Sequence, residues 1–247
     1  MCMDNNRVYG KVVDIDYENV KSFYDRRVQN ANSDNLYSTV LSSGHSIELM
    51  AEQLKIDKEI LFPKLKIDDK SRVLDIGCGI GRWAEEVIPL CDYYYGIDFS
   101  KSMIDIAIER SLCFEKDNYK FENCSFQNLN VDGKIFNRAI ISGVLVHICD
   151  NDITESLKNM IRFLDEKSII FVWEPCGVEQ RLTLKDFPSV DLKDKHNAIY
   201  RTKTEYDNLF KILLDNGYVV TFCEYYSALG GTVTYTDTDK IYYILEK

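Results

Sequence analysis

The chain has 247 residues, with 30 Lys and Arg against 40 Asp and Glu, for a formal charge of −10 and 45% hydrophobic residues. A chain of this length buries roughly 70–75% of its unfolded surface, so one core forms without disulfide or metal staples. The acidic balance argues against a basic groove that follows a nucleic-acid backbone or an anionic membrane, so neither partner is expected. No run approaches the ~18 apolar residues of a spanning helix, and Met1 to Tyr9 lacks the hydrophobic run of a signal peptide, which points to the cytoplasm.

Residues 1–70 read as a helical lid, with Val20, Phe23, Tyr24 and Arg27 on one side and Ile47, Met50, Ala51 and Leu54 on another. From Ser71 strands and helices alternate. Arg72 to Ile76 is a strand, Arg82 to Leu90 a helix, Tyr93 to Ile97 a strand, and Ser100 caps a helix to about Arg110. Strands follow at Lys120 to Phe126 and Phe136 to Ser142. A helix is then marked by Ile153, Leu157, Met160, Ile161 and Leu164, and a strand by Ile169 to Trp173. Residues 176–201 form an insertion long enough to carry function. Thr202 and Glu205 make a capping box for the next helix, and Gly217 stands at its C-cap. Tyr218 to Tyr226 and Ile241 to Leu245 close the chain as an antiparallel pair. The pattern predicts a doubly wound α/β domain over 71–247, its sheet mostly parallel and covered on both faces. The eight cysteines include no Cys-x-x-Cys and no neighbouring His, so they read as free thiols and no metal site is expected.

The strongest local signal is Asp75-Ile76-Gly77-Cys78-Gly79-Ile80-Gly81-Arg82, a buried strand passing through a three-glycine turn into a helix. Glycine removes the side chain that would block a ligand, and the helix start offers unpaired N–H groups. Asp98 follows Gly81 by 17 residues at the end of the next strand, where a carboxylate can accept both hydroxyls of an adenosine ribose. The spacing Gly-x-Gly-x-Gly is tighter than the dinucleotide fingerprint, which argues against a nicotinamide cofactor.

These residues resemble the class I, seven-stranded methyltransferases that use S-adenosylmethionine. Asp75 to Gly81 looks like the family's first motif, Asp98 like its ribose-binding acid, and Ser142-Gly143-Val144-Leu145-Val146-His147 like its fourth motif. The resemblance implies a seven-stranded sheet with an antiparallel last strand and a cofactor site built from Asp75, Gly77, Cys78, Gly79, Arg82, Asp98, Phe99, Met103, Ser142 and Gly143. Ser125 stands where the family often has an acid near the adenine amine, with Phe126 beside it. Tyr24 or Arg27 of the lid, or Arg26, would hold the methionine carboxylate.

Methyl transfer requires alignment of nucleophile, methyl and sulfur, and a base only for a protonated nucleophile. His147, titrating near neutral pH, and Glu174, at the carboxyl end of the next strand, are the candidate bases, with structural roles as their alternatives. Tyr24, Arg26, Arg181, Tyr200 and Arg201 suit a small anionic acceptor, since Arg meets carboxylate or phosphate in a bidentate fork. A narrower resemblance links Phe23-Tyr24-Asp25-Arg26-Arg27, Gly81-Arg82-Trp83 and Arg181 to Phe187 with Tyr200-Arg201 to methyltransferases of bacterial surface-polysaccharide loci, including enzymes proposed to methylate capsule phosphoramidate groups. It implies O-methylation in capsule biosynthesis. Quinone-like or lipid acceptors, and a non-catalytic cofactor-binding subunit, are the competing expectations; oligomeric state stays open.

Overall fold

The computed structural model describes residues 6–30, 36–37, 39–40, 46–133, 135–189 and 194–247, so parts of segments 1–70 and 176–201 lie outside the described residues. The elements in chain order are β1 (Arg7–Tyr9), α1 (Tyr17–Gln29), α2 (Ile47–Ile56), β2 (Arg72–Ile76), α3 (Ala84–Val87), β3 (Tyr93–Asp98), α4 (Lys101–Ser111), β4 (Tyr119–Asn123) and β5 (Phe136–Ser142). They continue with α5 (Asp150–Ile161), β6 (Leu164–Gly177), β7 (Leu182–Ser189), β8 (Asp194–Tyr200), α6 (Lys203–Leu209), α7 (Lys211–Leu214), β9 (Val219–Tyr225) and β10 (Thr238–Glu246).

Seven strands form one sheet in the order β4-β3-β2-β5-β6-β10-β9. The first five are parallel, and β10 enters antiparallel between β6 and β9. Neighbouring residues on each strand go to opposite faces. On β2, for example, Leu74 and Ile76 join a core with Leu157 and Phe210, whereas Val73 joins a second core with Val87, Ile104 and Leu61. Both faces are therefore buried, as the near-continuous apolar strands predict.

Three local features depart from the expected pattern. The helix expected over Arg82 to Leu90 is regular only from Ala84 to Val87, and Pro89 cannot donate the N–H that would extend it. The helix after the capping box is split at Phe210 into α6 and α7. The insertion is a hairpin, β7 with β8, and β1 pairs with β7 to complete a three-stranded antiparallel sheet. This small sheet packs under α1 through Ile15, Val20 and Ile199. Asp16 caps α1 by accepting the Glu18 and Asn19 N–H groups. Among the described residues no helix is long and apolar enough to cross a membrane.

Candidate active site at the carboxyl edge of the sheet

Two cavities meet above the carboxyl ends of β2, β3 and β5. The larger, roughly 720 Å³, runs between the glycine turn, α1 and the loop after β4 and is walled by Gly77, Gly79, Asp98, Phe99, Met103, Ser125 and Phe126. The smaller, about 170 Å³, lies toward β6, β8 and β10 and is walled by Trp173, His196, Tyr200, Tyr226 and Lys240. Tyr24, Ser142, Gly143 and His147 belong to both and mark their junction.

Local backbone geometry builds this junction. Gly77 and Gly143 have φ of +67° and +70°, a region that side chains other than glycine's rarely enter. A Cβ on Gly143 would stand 2.6 Å from the Trp173 ring, so the turn after β5 closes on β6 only with glycine there. Asp98 is buried, and its carboxylate accepts the Gly79 N–H at 3.0 Å and the Ser100 N–H at 2.8 Å. Burial pushes this carboxyl up to about 6, against the pull of those two N–H groups.

At the junction the Tyr24 hydroxyl and His147 Nε2 are 2.8 Å apart, and His147 Nδ1 lies 3.1 Å from the Asn197 carbonyl oxygen. A carbonyl only accepts, so Nδ1 carries the proton, Nε2 presents its lone pair, and the Tyr24 hydroxyl donates to it. Burial pushes His147 down to about 4, with the Arg27 charge adding to the effect, and pushes Tyr24 up to about 12. The ring is thus neutral at physiological pH, a correction to the expected titration near neutrality. His196 stacks edge-on against it, with ring centroids 5.9 Å apart.

Several expected site residues have other partners. Glu174 is fully buried and accepts the N–H groups of Val144, Leu145 and Val146 at 2.8, 2.8 and 3.0 Å, so its carboxylate faces backbone and lines neither cavity. Asp75 lies beneath the glycine turn, accepts the Tyr94 hydroxyl at 2.5 Å, and also lines neither. Arg26 pairs with Asp194 on the surface. Arg27 lies over the Phe23 and Tyr24 rings, outside both cavities. Arg181 and Arg201 converge on Asp150, and Arg181 also reaches Glu205. Arg82 does line the smaller cavity, but its guanidinium is held by Asp57 at 2.5 Å and donates to the Ser142 hydroxyl at 3.1 Å.

The Asp150 cluster has a measurable consequence. Burial raises the Asp150 carboxyl, but the hydrogen bonds and charges of Arg181 and Arg201 outweigh it and hold the group below the ordinary carboxylate range. Its contribution to stability is therefore complete above the unfolded carboxyl value of ~3.9 and is lost as pH falls through the lower folded value. Asp150→Ala should cost on the order of 3 kcal/mol in urea unfolding at pH 7, because two buried guanidinium groups lose their shared partner. The deficit relative to the parent chain should shrink below pH 4; a deficit independent of pH would contradict the pairing.

The smaller cavity contains a cation that the motifs leave out. Lys240 is the third residue of β10, paired in register with Pro175, so the antiparallel strand begins where the parallel strands end. Its Nζ donates to Gln53 Oε1 at 2.5 Å and lies over the Tyr226 ring at 4.1 Å. Burial pushes it down to about 8, opposed by Asp57, Asp239 and Glu52.

A family model described as a methyltransferase domain matches residues 67–247. Over 202 residues the chain is 23% identical to phosphoethanolamine N-methyltransferase 1 of Caenorhabditis elegans, covering 82% of this chain and 40% of that protein. It is 28% identical over 117 residues to a probable cobalt-precorrin-6B C(15)-methyltransferase of Methanococcus vannielii, 45% of this chain and 56% of that protein. Phosphoethanolamine N-methyltransferase 1 of Haemonchus contortus, solved with phosphoethanolamine and S-adenosylhomocysteine, superposes with a TM-score of 0.72 at 17% identity, over 93% of this chain and 48% of that one. The chain thus spans 40–56% of these methyltransferases' lengths. The lining of the larger cavity is chemically compatible with S-adenosylmethionine: a buried carboxylate, Asp98, the apolar side chains of Phe126 and Met103, and a volume within the ~300–1,000 Å³ of ligand sites. With the family model covering its whole seven-stranded sheet, the chain belongs to the S-adenosylmethionine-dependent methyltransferase domains.

Proposed function

We propose that this domain methylates a hydroxyl or amine of a small acceptor that also bears an anionic group, with Tyr24 and His147 receiving the proton and Lys240 facing the anion. The observation that carries the reading is the Tyr24–His147 hydrogen bond at the junction of the two cavities. S-adenosylmethionine, when bound, supplies an electrophilic methyl group. Asp98, Phe126, Met103, Ser125 and the Gly77–Gly79 turn hold it in the larger cavity, and Gly143 and Ser142 line the passage between the cavities. An acceptor proton passes to the Tyr24 oxygen as the tyrosine proton moves to His147 Nε2, so the relay ends on a ring whose other nitrogen is already protonated.

The relay distinguishes acceptors. An anionic phosphate or phosphoramidate oxygen carries no proton and needs no base, so a proton-accepting pair favours the anion as a handle over the anion as nucleophile. The volume of about 170 Å³ supports a small molecule, and a polar cation in its wall suits a phosphate or carboxylate better than a quinone or lipid. The names of the phosphoethanolamine relatives support the same class, an aminoalkyl phosphate. Capsule phosphoramidate methylation is the second reading, favoured by the narrower resemblance around Arg26 and Arg181, although both guanidinium groups are engaged by acids.

A methyl-transfer screen over phosphoethanolamine, sugar phosphates, phosphoramidates and carboxylates tests the class. For an anionic hit, Lys240→Met should raise KM at least tenfold with a smaller change in kcat. Because the Lys240 ammonium is held near 8, KM should climb as pH rises past that value and the charge is lost. A KM that is flat to pH 9.5, or turnover confined to neutral apolar acceptors, would remove Lys240 and the anion from the reading.

A further inference from the structure

We propose that Glu174 and Arg201 clamp the turn Val144–Ile148 from its two ends and thereby set both the position of His147 and the nitrogen that carries its proton. They are positioning residues, since neither lines either of the two cavities that meet at His147.

The turn after β5 is one 3₁₀ turn, Leu145–His147, entered through Gly143. Its first N–H groups have no partner within the turn, the ordinary condition of a helix start. All three are taken by one carboxylate, that of Glu174, at 2.8 to 3.0 Å. The carbonyls at the far side are taken by one guanidinium. Arg201 Nη1 donates to Leu145 O at 2.6 Å and Nη2 to Ile148 O at 2.5 Å, while Nε donates to Asp150 at 2.7 Å. Both side chains are completely buried. Desolvating each ion costs several kcal/mol, repaid only where every polar atom is satisfied in good geometry. Here the geometry they hold is that of the backbone on either side of His147.

The second end of the clamp also governs the ring. Asn197, whose carbonyl accepts from His147 Nδ1, lies on β8, and Arg201 follows that strand directly. One stretch of chain, 197–201, therefore grips the turn and points a carbonyl at Nδ1. A shift of the turn relative to β8 by about half an ångström would stretch the 3.1 Å Nδ1 bond beyond hydrogen-bond range and remove the preference it gives to the Nδ1–H tautomer. A ring protonated at Nε2 has no lone pair for the Tyr24 hydroxyl.

The inference rests on His147 being the ring that receives the Tyr24 proton, but its test requires no acceptor. In the full chain labelled with ¹⁵N at imidazole, the three histidines are assigned with H196Q and H147Q. Burial raises the Glu174 carboxyl to about 7 against the pull of the three N–H groups, so the spectra are taken at pH 8, where parent His147 should show the neutral Nδ1–H tautomer. Glu174→Gln replaces one accepting oxygen by a donor facing an N–H, and Arg201→Lys keeps the charge but loses the fork. Each should bring at least a tenth of His147 into the Nε2–H form or broaden its signals by exchange, with circular dichroism unchanged. Tyr24→Phe should leave the tautomer as in the parent, since the Asn197 carbonyl still selects it. Parent-like His147 signals in a folded clamp variant would overturn the proposal, as would failure of both variants to fold, which would make the pair an element of the fold alone. Neither outcome touches the proton relay, which is judged by the Tyr24 and His147 variants.

Discussion

Replacing Asp98 by alanine is expected to weaken S-adenosylhomocysteine binding at least ~100-fold by calorimetry, because hydrogen bonds to a charged group contribute ~1.5–3 kcal/mol each. Two effects add. The carboxylate is the acceptor at the cavity wall suited to paired ribose hydroxyls. It also accepts from Gly79 and Ser100, so it ties the glycine turn to the start of α4, and its loss loosens the cavity's floor. Asp98→Asn separates the two. The amide keeps one accepting oxygen and turns a donor toward one of the same N–H groups, so an intermediate loss is expected. Because burial raises the group to about 6, affinity in the parent chain should decline as pH falls from 7 to 5 while the carboxylate becomes protonated. Near-parental affinity in Asp98→Ala would show that the cofactor is held without this acid.

The same residue illustrates what a sequence can carry. Asp98 ends an apolar strand just after a glycine turn, and all the relevant signals are local, so its place in the cavity was legible. The same holds for Gly77, Gly79, Phe99, Met103, Ser125, Phe126 and Gly143, which follow their strands directly to the carboxyl edge. Strand limits were less visible. β6 runs from Leu164 to Gly177, well beyond Ile169 to Trp173, because its flanks are fixed by pairing with β5 and β10. The β1–β7–β8 sheet joins segments more than 170 residues apart, and no periodicity reports such a pairing.

Charges were the least legible. Arg181 and Arg201 looked available for an acceptor because their partner, Asp150, lies 31 and 51 residues away in sequence. Buried cations need compensation, and the fold supplies it at a distance. Lys240 is illegible for the opposite reason, since nothing near it in sequence resembles a site. The antiparallel last strand was itself predictable, and such a strand must begin at the edge where the parallel strands end. That topological step would have placed Thr238 to Lys240 beside the cavity.

For the acceptor that turns over in the screen, Tyr24→Phe and His147→Ala should each reduce kcat by ~10²–10⁴, the range of a positioned acid–base group. S-adenosylhomocysteine affinity should stay within threefold in Tyr24→Phe, which removes only the hydroxyl. Because the two groups pass one proton between them, their losses should not add: the double variant should be no slower than the worse single one. A merely structural hydrogen bond would instead lower stability without a selective loss of rate. The pH dependence gives a second discriminant. With His147 held near 4, the acid limb of kcat should lie well below the ~6.5 of an exposed imidazole, leaving a plateau down to about pH 5. An acid limb near 6.5 that vanishes in His147→Ala would mean that the ring is more exposed to water than its packing between Tyr24, His196 and the Asn197 carbonyl allows. Additive losses would mean that the tyrosine and the histidine serve different steps, and the relay would have to be abandoned.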